Sequence, residues 1–358
     1  MRIVYFVSVL SVIALQVGCS SENSGGNTTK PFVLKVPSHF PPASIPADNP
    51  LTEAKVKLGR MLFYEKRISE DLKIACANCH KQEFAFGSDK ALDMKVHGDM
   101  TTRNSSVLFN LAFTKEFFWD GRTKTLEATV KDALKGEQKF NIDFVKTRLM
   151  PEQRYKDAFN VAFSSTEPTD DMVEKALASF IRTMVSGSSR VDKGKIEGNP
   201  NKYLTAAEIE GRNIFETEEG DCFHCHGDIT GQPLMTDNLF HNNGLDPYMS
   251  PGLFKDPGLG FVTGVSGPDV GKFKTGALRN LSYSKPFMHD GRLANLDAVL
   301  THYNSGVKNN FSIDPNMKKA NQGGIQLTPD RIARLKAYLL AFDDPAFISD
   351  TSFSDPFK

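Results

Sequence analysis

The pattern of hydrophobic and polar positions along the chain predicts a mainly α-helical protein. Alternation of the kind that marks a β-strand is scarce. The segment from Asn238 to Gly276 is rich in Gly and Pro, and we expect it to form a long ordered loop. Gly187 to Pro200 is expected to mark a domain boundary. Apolar residues recur at helical spacing in four stretches, from Leu126 to Leu134, Asp143 to Phe163, Met172 to Val185 and Arg331 to Phe342.

Parts of the chain are repeated. Residues 51–63 read LTEAKVKLGRMLF and residues 204–215 read LTAAEIEGRNIF, so both begin with a Thr suited to capping a helix and share a Gly-Arg pair and a final Phe. WDGR at residues 119–122 is echoed by HDGR at residues 289–292, and an Arg-Asn pair precedes each. The chain therefore has the organisation of a duplicated unit.

Composition and charge limit the classes of protein to consider. The 358 residues include 43 Lys and Arg and 43 Asp and Glu, and 40% are hydrophobic. This is the composition of a soluble globular protein, and the length suggests two domains, which excludes a disordered chain. A formal net charge of zero provides no overall field to attract polyanions, so nucleic acid is not expected as a partner.

The N-terminus has the pattern of an export signal. An apolar run from Ile3 to Val17 follows a basic residue and leads to Cys19. We expect residues 1–19 to be a lipoprotein-type signal peptide with Cys19 lipidated, with simple secretion as the alternative, and residues 20–45 to be a flexible tether. The run is shorter than the roughly 20 residues of a spanning helix. The protein is thus expected in the periplasm or cell envelope, reaching the membrane only through a lipid anchor.

The other four cysteines lie in two identical patterns, CANCH at residues 76–80 and CFHCH at residues 222–226. C-x-x-C-H is the attachment motif of a c-type haem, in which two thiols bind the porphyrin and the histidine binds iron. Two disulfides are the first alternative. A four-cysteine zinc site is the second alternative. The two cysteine pairs of such a site usually lie about 15 to 20 residues apart, much closer than the pairs at 76–79 and 222–225 of this chain. The predicted attachment residues are Cys76, Cys79, Cys222 and Cys225, with His80 and His226 as iron ligands.

These features predict two tandem cytochrome c-like domains, each with one covalent haem, at residues 46–190 and 200–343, followed by a tail at residues 344–358. The motif order CANCH, RN, FFWDGR, CFHCH, FKTGALRN and MHDGR resembles the bacterial di-haem cytochrome c peroxidases and their methylamine-utilisation (MauG) relatives. The resemblance implies a peroxidatic haem in the N-terminal domain and an electron-transfer haem in the C-terminal domain. It also implies that Trp119, the only tryptophan, lies between them; a buried aromatic anchor is the alternative.

The resemblance suggests further iron ligands. Tyr303, fourteen residues after His289, stands where MauG-type relatives supply a tyrosine to the second haem. A hard, anionic phenolate oxygen favours ferric iron, whereas a Met thioether raises the reduction potential. The alternatives are a core tyrosine and ligation by His302. Near the first haem, His97 stands where classical peroxidases carry a removable ligand, and a histidine in a loop or at the haem edge is the alternative.

The resemblance also implies an acid/base residue and a calcium ion. Cleavage of peroxide needs a group that moves a proton between its two oxygens. Glu137 is the candidate, although it comes two residues earlier than in the family pattern, and a solvated charge at a helix end is the alternative. A calcium ion between the domains would use the oxygen donors of Asn104, Ser284 and Pro286, a ligand type that suits this cation. Roles in turns and caps are the alternative.

Three functions follow. The first is a peroxidase that reduces hydrogen peroxide with electrons from a small redox protein, either a cytochrome c or a cupredoxin. The second is a MauG-like oxidase that uses peroxide to withdraw electrons from a protein or a small molecule. The third is a di-haem electron carrier without peroxide chemistry. A homodimer is a further expectation, because members of the family are often dimers.

Overall fold

The computed structural model describes residues 30–227, 232–247 and 254–358. The predicted signal peptide with Cys19, and residues 20–29 of the predicted tether, lie outside the described residues. The chain is mainly helical, as predicted. No helix within the described ranges is long and apolar enough to cross a membrane. The helices of the first half are α1 Glu53–Tyr64, α2 Cys76–Cys79, α3 Leu126–Glu137, α4 Ile142–Phe144, α5 Gln153–Phe163, α6 Asp170–Arg182 and α7 Arg190–Ile196.

The second half contains the described strands, β1 Phe240–His241 and β2 Phe273–Lys274, which pair antiparallel. Its helices are α8 Ala206–Phe215, α9 Phe223–His226, α10 Gly260–Thr263, α11 Leu296–Thr301, α12 Pro329–Leu340 and α13 Pro345–Ile348. Shorter helical segments complete the described part of the chain: π-helical turns at Val145–Leu149 and His302–Gly306, and 3₁₀ turns at Lys66–Ile68, Gln82–Phe84, Val96–Gly98, Leu111–Phe113 and Ala320–Gln322.

The repeated Gly-Arg pair marks the place where two helices cross in each half. Helix α1 packs on α6, and a Cβ atom on Gly59 would lie 1.9 Å from the backbone oxygen of Ala176. Helix α8 packs on α12 in the same way, and a Cβ atom on Gly211 would lie 2.0 Å from the oxygen of Arg334. Only glycine permits such close contact between backbones. The repeat in the sequence therefore encodes a repeated helix crossing, and each crossing belongs to its own hydrophobic core.

The predicted caps are confirmed, whereas one predicted helix is interrupted. Thr52 accepts a hydrogen bond from the Lys55 N–H, and Thr205 accepts one from the Glu208 N–H. The pattern from 143 to 163 predicted one helix, but the structure has a short helix and a π turn before α5 begins at Gln153. The break contains Pro151. Proline lacks the backbone N–H that the interior of a helix requires, so one helix does not continue through this position.

The segments at the borders of the predicted domains are more ordered than the sequence suggested. The expected boundary at 187–200 contains α7, whose Val191 belongs to the second core. The described part of the expected tether bonds to the body, since the Phe32 N–H donates to the Leu51 oxygen. The expected tail returns to the first half, where Phe347 and Phe353 are part of the core. The expected loop from 238 to 276 contains β1, β2 and α10.

A buried ion pair joins α7 to the second repeat of the Arg-Asn motif. The Arg279 guanidinium donates two hydrogen bonds to the Asp192 carboxylate, at 2.6 and 2.8 Å, and neither side chain is exposed. Burial by itself would raise the pKa of Asp192, but Arg279 and further hydrogen bonds hold it well below its usual range. Arg279 also donates to the oxygen of Pro233. This pair fixes the segment between the two halves.

We expect the substitution Arg279→Met to lower the free energy of unfolding by about 3 to 5 kcal/mol, because it leaves the buried Asp192 carboxylate without its arginine partner. Denaturant unfolding of the haem-loaded protein measures this loss. Lys336→Met is the control, since it removes a surface pair with Asp297 and should cost less than about 1 kcal/mol. Equal losses in both variants would contradict the role of the buried pair.

Candidate haem-binding site

A cavity of about 1260 Å³ lies between the two halves and is lined by residues of both. Ligand pockets usually measure about 300 to 1,000 Å³, so this cavity has room for more than one ordinary ligand. It brings together most of the residues predicted from the sequence. Those in its wall are Cys76, Cys79, His80, Asn104, Trp119, Glu137, Cys222, Cys225, His226, Ser284, Pro286 and Tyr303.

The two attachment motifs have equivalent local structures. Helix α2 begins at Cys76 and ends at Cys79, and Cys222 immediately precedes helix α9, in which Cys225 lies. The two thiols of each pair are thus one helical turn apart on the cavity wall. All four are free cysteines. This arrangement suits two thioether bonds to one porphyrin in each half, and it does not support the alternative of two disulfides.

Both motif histidines are oriented for binding iron. His80 Nδ1 lies 3.0 Å from the backbone oxygen of Phe86, and His226 Nδ1 lies 3.4 Å from that of Met235. A carbonyl oxygen only accepts, so these contacts favour the proton on Nδ1 and leave Nε2 as the nitrogen suited to a metal. Burial lowers the pKa of His80, and it lowers the pKa of His226 to about 4. Burial thus favours the neutral imidazole, the form that binds metals.

Trp119 is held by both halves of the molecule. Its indole Nε1–H donates to the backbone oxygen of Asn104 at 2.9 Å. The Asn104 N–H donates in turn to the oxygen of His289, in the second half. The Trp119 oxygen accepts a 2.9 Å hydrogen bond from the Lys274 N–H of β2. The tryptophan thus lies in the cavity wall at the contact between the two halves.

Lys274 also binds the loop that carries this tryptophan. Its ammonium donates to the Glu116 backbone oxygen at 2.8 Å, so Lys274 contacts the loop at both Glu116 and Trp119. The Glu116 carboxylate is engaged elsewhere, by Lys124. Burial without a directly bonded carboxylate lowers the pKa of Lys274 to about 8. No sequence motif marks this contact, because it joins residues about 160 positions apart.

Glu137 ends α3, and its carboxyl lies in the cavity wall near the first attachment motif. Its Oε2 atom is buried and has no hydrogen-bond partner, and burial raises the pKa of the carboxyl. The end of α3 lies beside this motif, because the adjacent Gln138 donates a hydrogen bond to the Cys76 sulfur at 3.5 Å. A buried carboxyl without a partner is a candidate for proton transfer. A solvated charge at a helix end does not describe it.

Tyr303 and His302 face different surroundings. Tyr303 is in the cavity wall, where its hydroxyl accepts a 3.1 Å hydrogen bond from Asn243 Nδ2, and burial raises its pKa to about 12. His302 is outside the lining, and its Nε2 lies 3.1 Å from the backbone oxygen of Asn243. The structure thus brings the tyrosine, and not the histidine, to the second attachment motif.

His97 is not brought to the cavity. It lies in the Val96–Gly98 turn with a side chain 61% exposed, and its Nε2 is 2.6 Å from Glu70 Oε2. A role as an iron ligand would require this turn to move. The loop-histidine alternative describes the conformation that the structure shows.

The three residues expected at calcium share the cavity wall. The Asn104 side-chain nitrogen donates hydrogen bonds to the backbone oxygens of Lys90 and Ala91, so the nitrogen of this amide faces these two residues. The Asn104 side-chain oxygen and the carbonyls of Ser284 and Pro286 are oxygen donors, so they suit a hard cation. If calcium binds there, it would tie the two halves together.

Two ionic clusters in the cavity wall were not predicted. His241 lies between Asp237 at 2.8 Å and Asp314 at 2.5 Å; burial opposes its charge, but the two carboxylates raise its pKa to about 12. Arg103, the arginine of the first Arg-Asn pair, binds Asp256 through two 2.7 Å hydrogen bonds. The loop containing Asp256 had no recognisable motif, so sequence reasoning missed this link between the halves.

A mainly helical chain with two C-x-x-C-H motifs facing one cavity is of the c-type cytochrome class. The chain belongs to the di-haem cytochrome c peroxidase family, whose family match covers residues 53–201. It is 32% identical to cytochrome-c peroxidase IdrP1 of Denitromonas iodatirespirans over 84% of both chains. It is 34% identical to the methylamine utilization protein MauG of Methylorubrum extorquens, over 76% of this chain and 75% of that one.

The fold agrees with this assignment. A crystal structure of a MauG-like protein associated with microbial copper homeostasis aligns with a TM-score of 0.80 and 29% identity, covering 91% of this chain and all of that one. The family implies two c-type haems, a peroxide substrate and an electron donor. Its bacterial members are typically periplasmic. The chain is an oxidoreductase with peroxidase activity.

The lowered pKa of Lys274 predicts a pH-dependent stability. Between about pH 8 and pH 10.5 the unfolded chain holds a proton on this amine that the folded chain does not, so folding becomes more favourable as the pH rises. Relative to Lys274→Met, the wild type should gain up to about 3 kcal/mol across this window. Denaturant unfolding at several pH values measures the difference, with the exposed Lys124→Met as control. A constant difference would contradict burial of the ammonium.

Proposed function

We propose that this protein reduces hydrogen peroxide to water at its N-terminal haem with electrons from a small redox protein. The balance is H₂O₂ + 2 H⁺ + 2 e⁻ → 2 H₂O, in which the O–O bond breaks and the donor is oxidised. The observation that carries the proposal is the Glu137 carboxyl, whose buried Oε2 atom has no hydrogen-bond partner, in the wall of a cavity suited to haem. A protein that only carries electrons has no need of such a group.

Different residues of the first half bind the haem and transfer the proton. When bound, the haems supply redox chemistry and a site for peroxide. Cys76 and Cys79 would hold the porphyrin of the first half, and His80 would bind its iron. Glu137 takes a proton from the near oxygen of peroxide and returns it to the leaving oxygen. Its raised pKa suits this role, because the best proton-transfer groups have a pKa close to the working pH.

The second half passes electrons to the first. His226 and Tyr303 would bind its iron, and Trp119 would couple the two sites. Support for this coupling comes from the hydrogen bonds that hold Trp119 to both halves, through Asn104 and Lys274. The electron donor is a cytochrome c or a cupredoxin.

The proposed cellular location, membrane anchor, assembly and calcium site complete the description of the enzyme. The protein works in the periplasm or cell envelope, anchored through a lipid on Cys19, and assembles as a homodimer. Calcium at Asn104, Ser284 and Pro286 ties the two halves together. We keep His97 as a ligand of the resting first haem only for a state in which its turn moves inward, because it is exposed in this conformation.

A second candidate function is a MauG-like oxidase, which passes the oxidising power of peroxide to a protein or a small molecule. The position of Tyr303 in the cavity wall, with its hydroxyl bonded to Asn243, favours it. Phenolate ligation stabilises ferric over ferrous iron, so it suits a haem that loses electrons to peroxide. The relatives named MauG give this candidate further support.

The substitution Glu137→Gln should lower the rate of peroxide turnover by about 100- to 10,000-fold, because an amide cannot transfer the proton. The rate is measured with a reduced cytochrome c or cupredoxin as donor. Asp132→Asn, in an exposed acid on the same helix, is the matched control and should retain the rate. If Glu137→Gln were as active as the wild type, the acid/base assignment would be wrong.

Titration of the haem-loaded protein with one equivalent of peroxide separates the two candidate functions. If the fully ferric protein reacts and both haems change their visible and EPR spectra, the MauG-like oxidase is favoured. If only the half-reduced protein reacts, the protein is a peroxidase that needs prior reduction, and movement of His97 becomes the expected trigger. A protein that reacts in neither form would be an electron carrier.

A further inference from the structure

Three side chains that can bind iron converge around Asn243. Its side-chain nitrogen donates to the Tyr303 hydroxyl at 3.1 Å and contacts the Met288 sulfur at 3.5 Å. Its backbone oxygen accepts the hydrogen bond from His302 Nε2 at 3.1 Å. Asn243, Met288 and Tyr303 all line the cavity. One residue thus contacts an oxygen, a sulfur and a nitrogen donor.

The contacts of Asn243 affect these donors unequally. A bond from the amide N–H to the phenolic oxygen stabilises its anionic form. The bond from His302 uses the protonated Nε2, which is therefore not available to a metal. The remaining His302 nitrogen lies toward Gly306, since a Cβ atom on this glycine would be 3.5 Å from His302 Nδ1. The Asn243 side-chain nitrogen, and not its oxygen, faces Met288 and Tyr303, an arrangement that suits a thioether sulfur, which only accepts.

Asn243 is itself held rigidly by its neighbours. Asn242 donates to Asn310 and to Ser312, and its side-chain oxygen accepts from the Gly244 N–H. The Gly244 oxygen accepts from the Lys308 N–H. Tyr303 lies in a π turn, a local irregularity common at functional sites. Its backbone oxygen accepts a hydrogen bond from the Ile325 N–H. The distances between Asn243 and the candidate ligands are therefore fixed from both sides.

We propose that Asn243 is the positioning residue that selects the Tyr303 oxygen as the second ligand of the C-terminal haem, over the Met288 sulfur and the His302 nitrogen. The inference rests on the proposed ligation by Tyr303. Asn243 favours the phenolate through its amide, and it withholds His302 through its backbone oxygen. The choice matters because a thioether ligand raises the reduction potential of a haem, whereas an anionic oxygen lowers it.

The test compares Asn243→Asp and Asn243→Leu with the wild type in the haem-loaded protein. Asp has the same shape as Asn but cannot donate when ionised, and its charge repels a phenolate. The measurements are the low-temperature EPR spectrum of the ferric C-terminal haem, which differs among phenolate, thioether and imidazole ligands, and its reduction potential. We expect the tyrosine-ligated fraction relative to other forms to fall about tenfold or more, since hydrogen bonds to charged groups are strong, and the potential to rise. Asn309→Asp, in an exposed asparagine, is the matched control.

Variants of Met288 identify the replacing ligand, and the single variant at this residue does not depend on the folding of the Asn243 variants. Met288→Leu keeps a similar volume, and with Asn243 intact it should leave the spectrum unchanged. Combined with Asn243→Asp, it should remove any signal of a thioether ligand. The proposal is overturned if both Asn243 variants keep the wild-type spectrum and potential, or if Met288→Leu alone changes the ligand. A wild type with a tyrosine-ligated haem but no peroxide turnover would refute the proposed function and leave the role of Asn243 standing.

Discussion

The close approach of two helices at a single glycine is the constraint on which each half of this protein depends. At Gly59 and again at Gly211, a Cβ atom would collide with the backbone of the helix that crosses over it. Each of the haem motifs forms a helix of only four residues, too short to be stable alone, so it takes its position from the hydrophobic core against which it packs. The placement of His80 and His226 in the wall of one cavity therefore depends on the packing of the two cores.

The sequence predicted what is encoded locally. The Thr caps and both C-x-x-C-H motifs each depend on residues within a few positions of one another, and the structure confirms the caps and the mainly helical fold. Contacts between distant residues left no such signal. The return of Phe347 and Phe353 to the first core joins segments nearly 300 positions apart. The break at Pro151 has a local cause, because proline interrupts a helix, although the apolar spacing continues across it.

The same division holds at the candidate site. Trp119 and Tyr303 were found because the sequence matches known motifs, and Glu137 was found as the nearest carboxyl to a motif position; all three lie in the cavity wall. The residues that contact Trp119 and Tyr303 were missed. Lys274 and Asn243 make these contacts with residues far away in the sequence, and no local pattern marks them. Such contacts follow from the meeting of the two halves and become visible only when both are in place.

Duplication supplied two similar frameworks, and the differences between them favour different chemistry in each half. The wall near Cys79 contains a carboxyl, that of Glu137, whose buried oxygen has no partner, so it is free to exchange a proton with a small molecule. The corresponding region near Cys225 is occupied by Tyr303, whose oxygen is already bonded to Asn243. An open, proton-active wall suits a site where a substrate binds and reacts. A wall closed by a side chain that is already hydrogen-bonded suits a site that only changes its charge, and Trp119 lies where the two halves meet. The asymmetry of these few side chains, and not the shared fold, therefore supports the proposal that peroxide reacts in the N-terminal half.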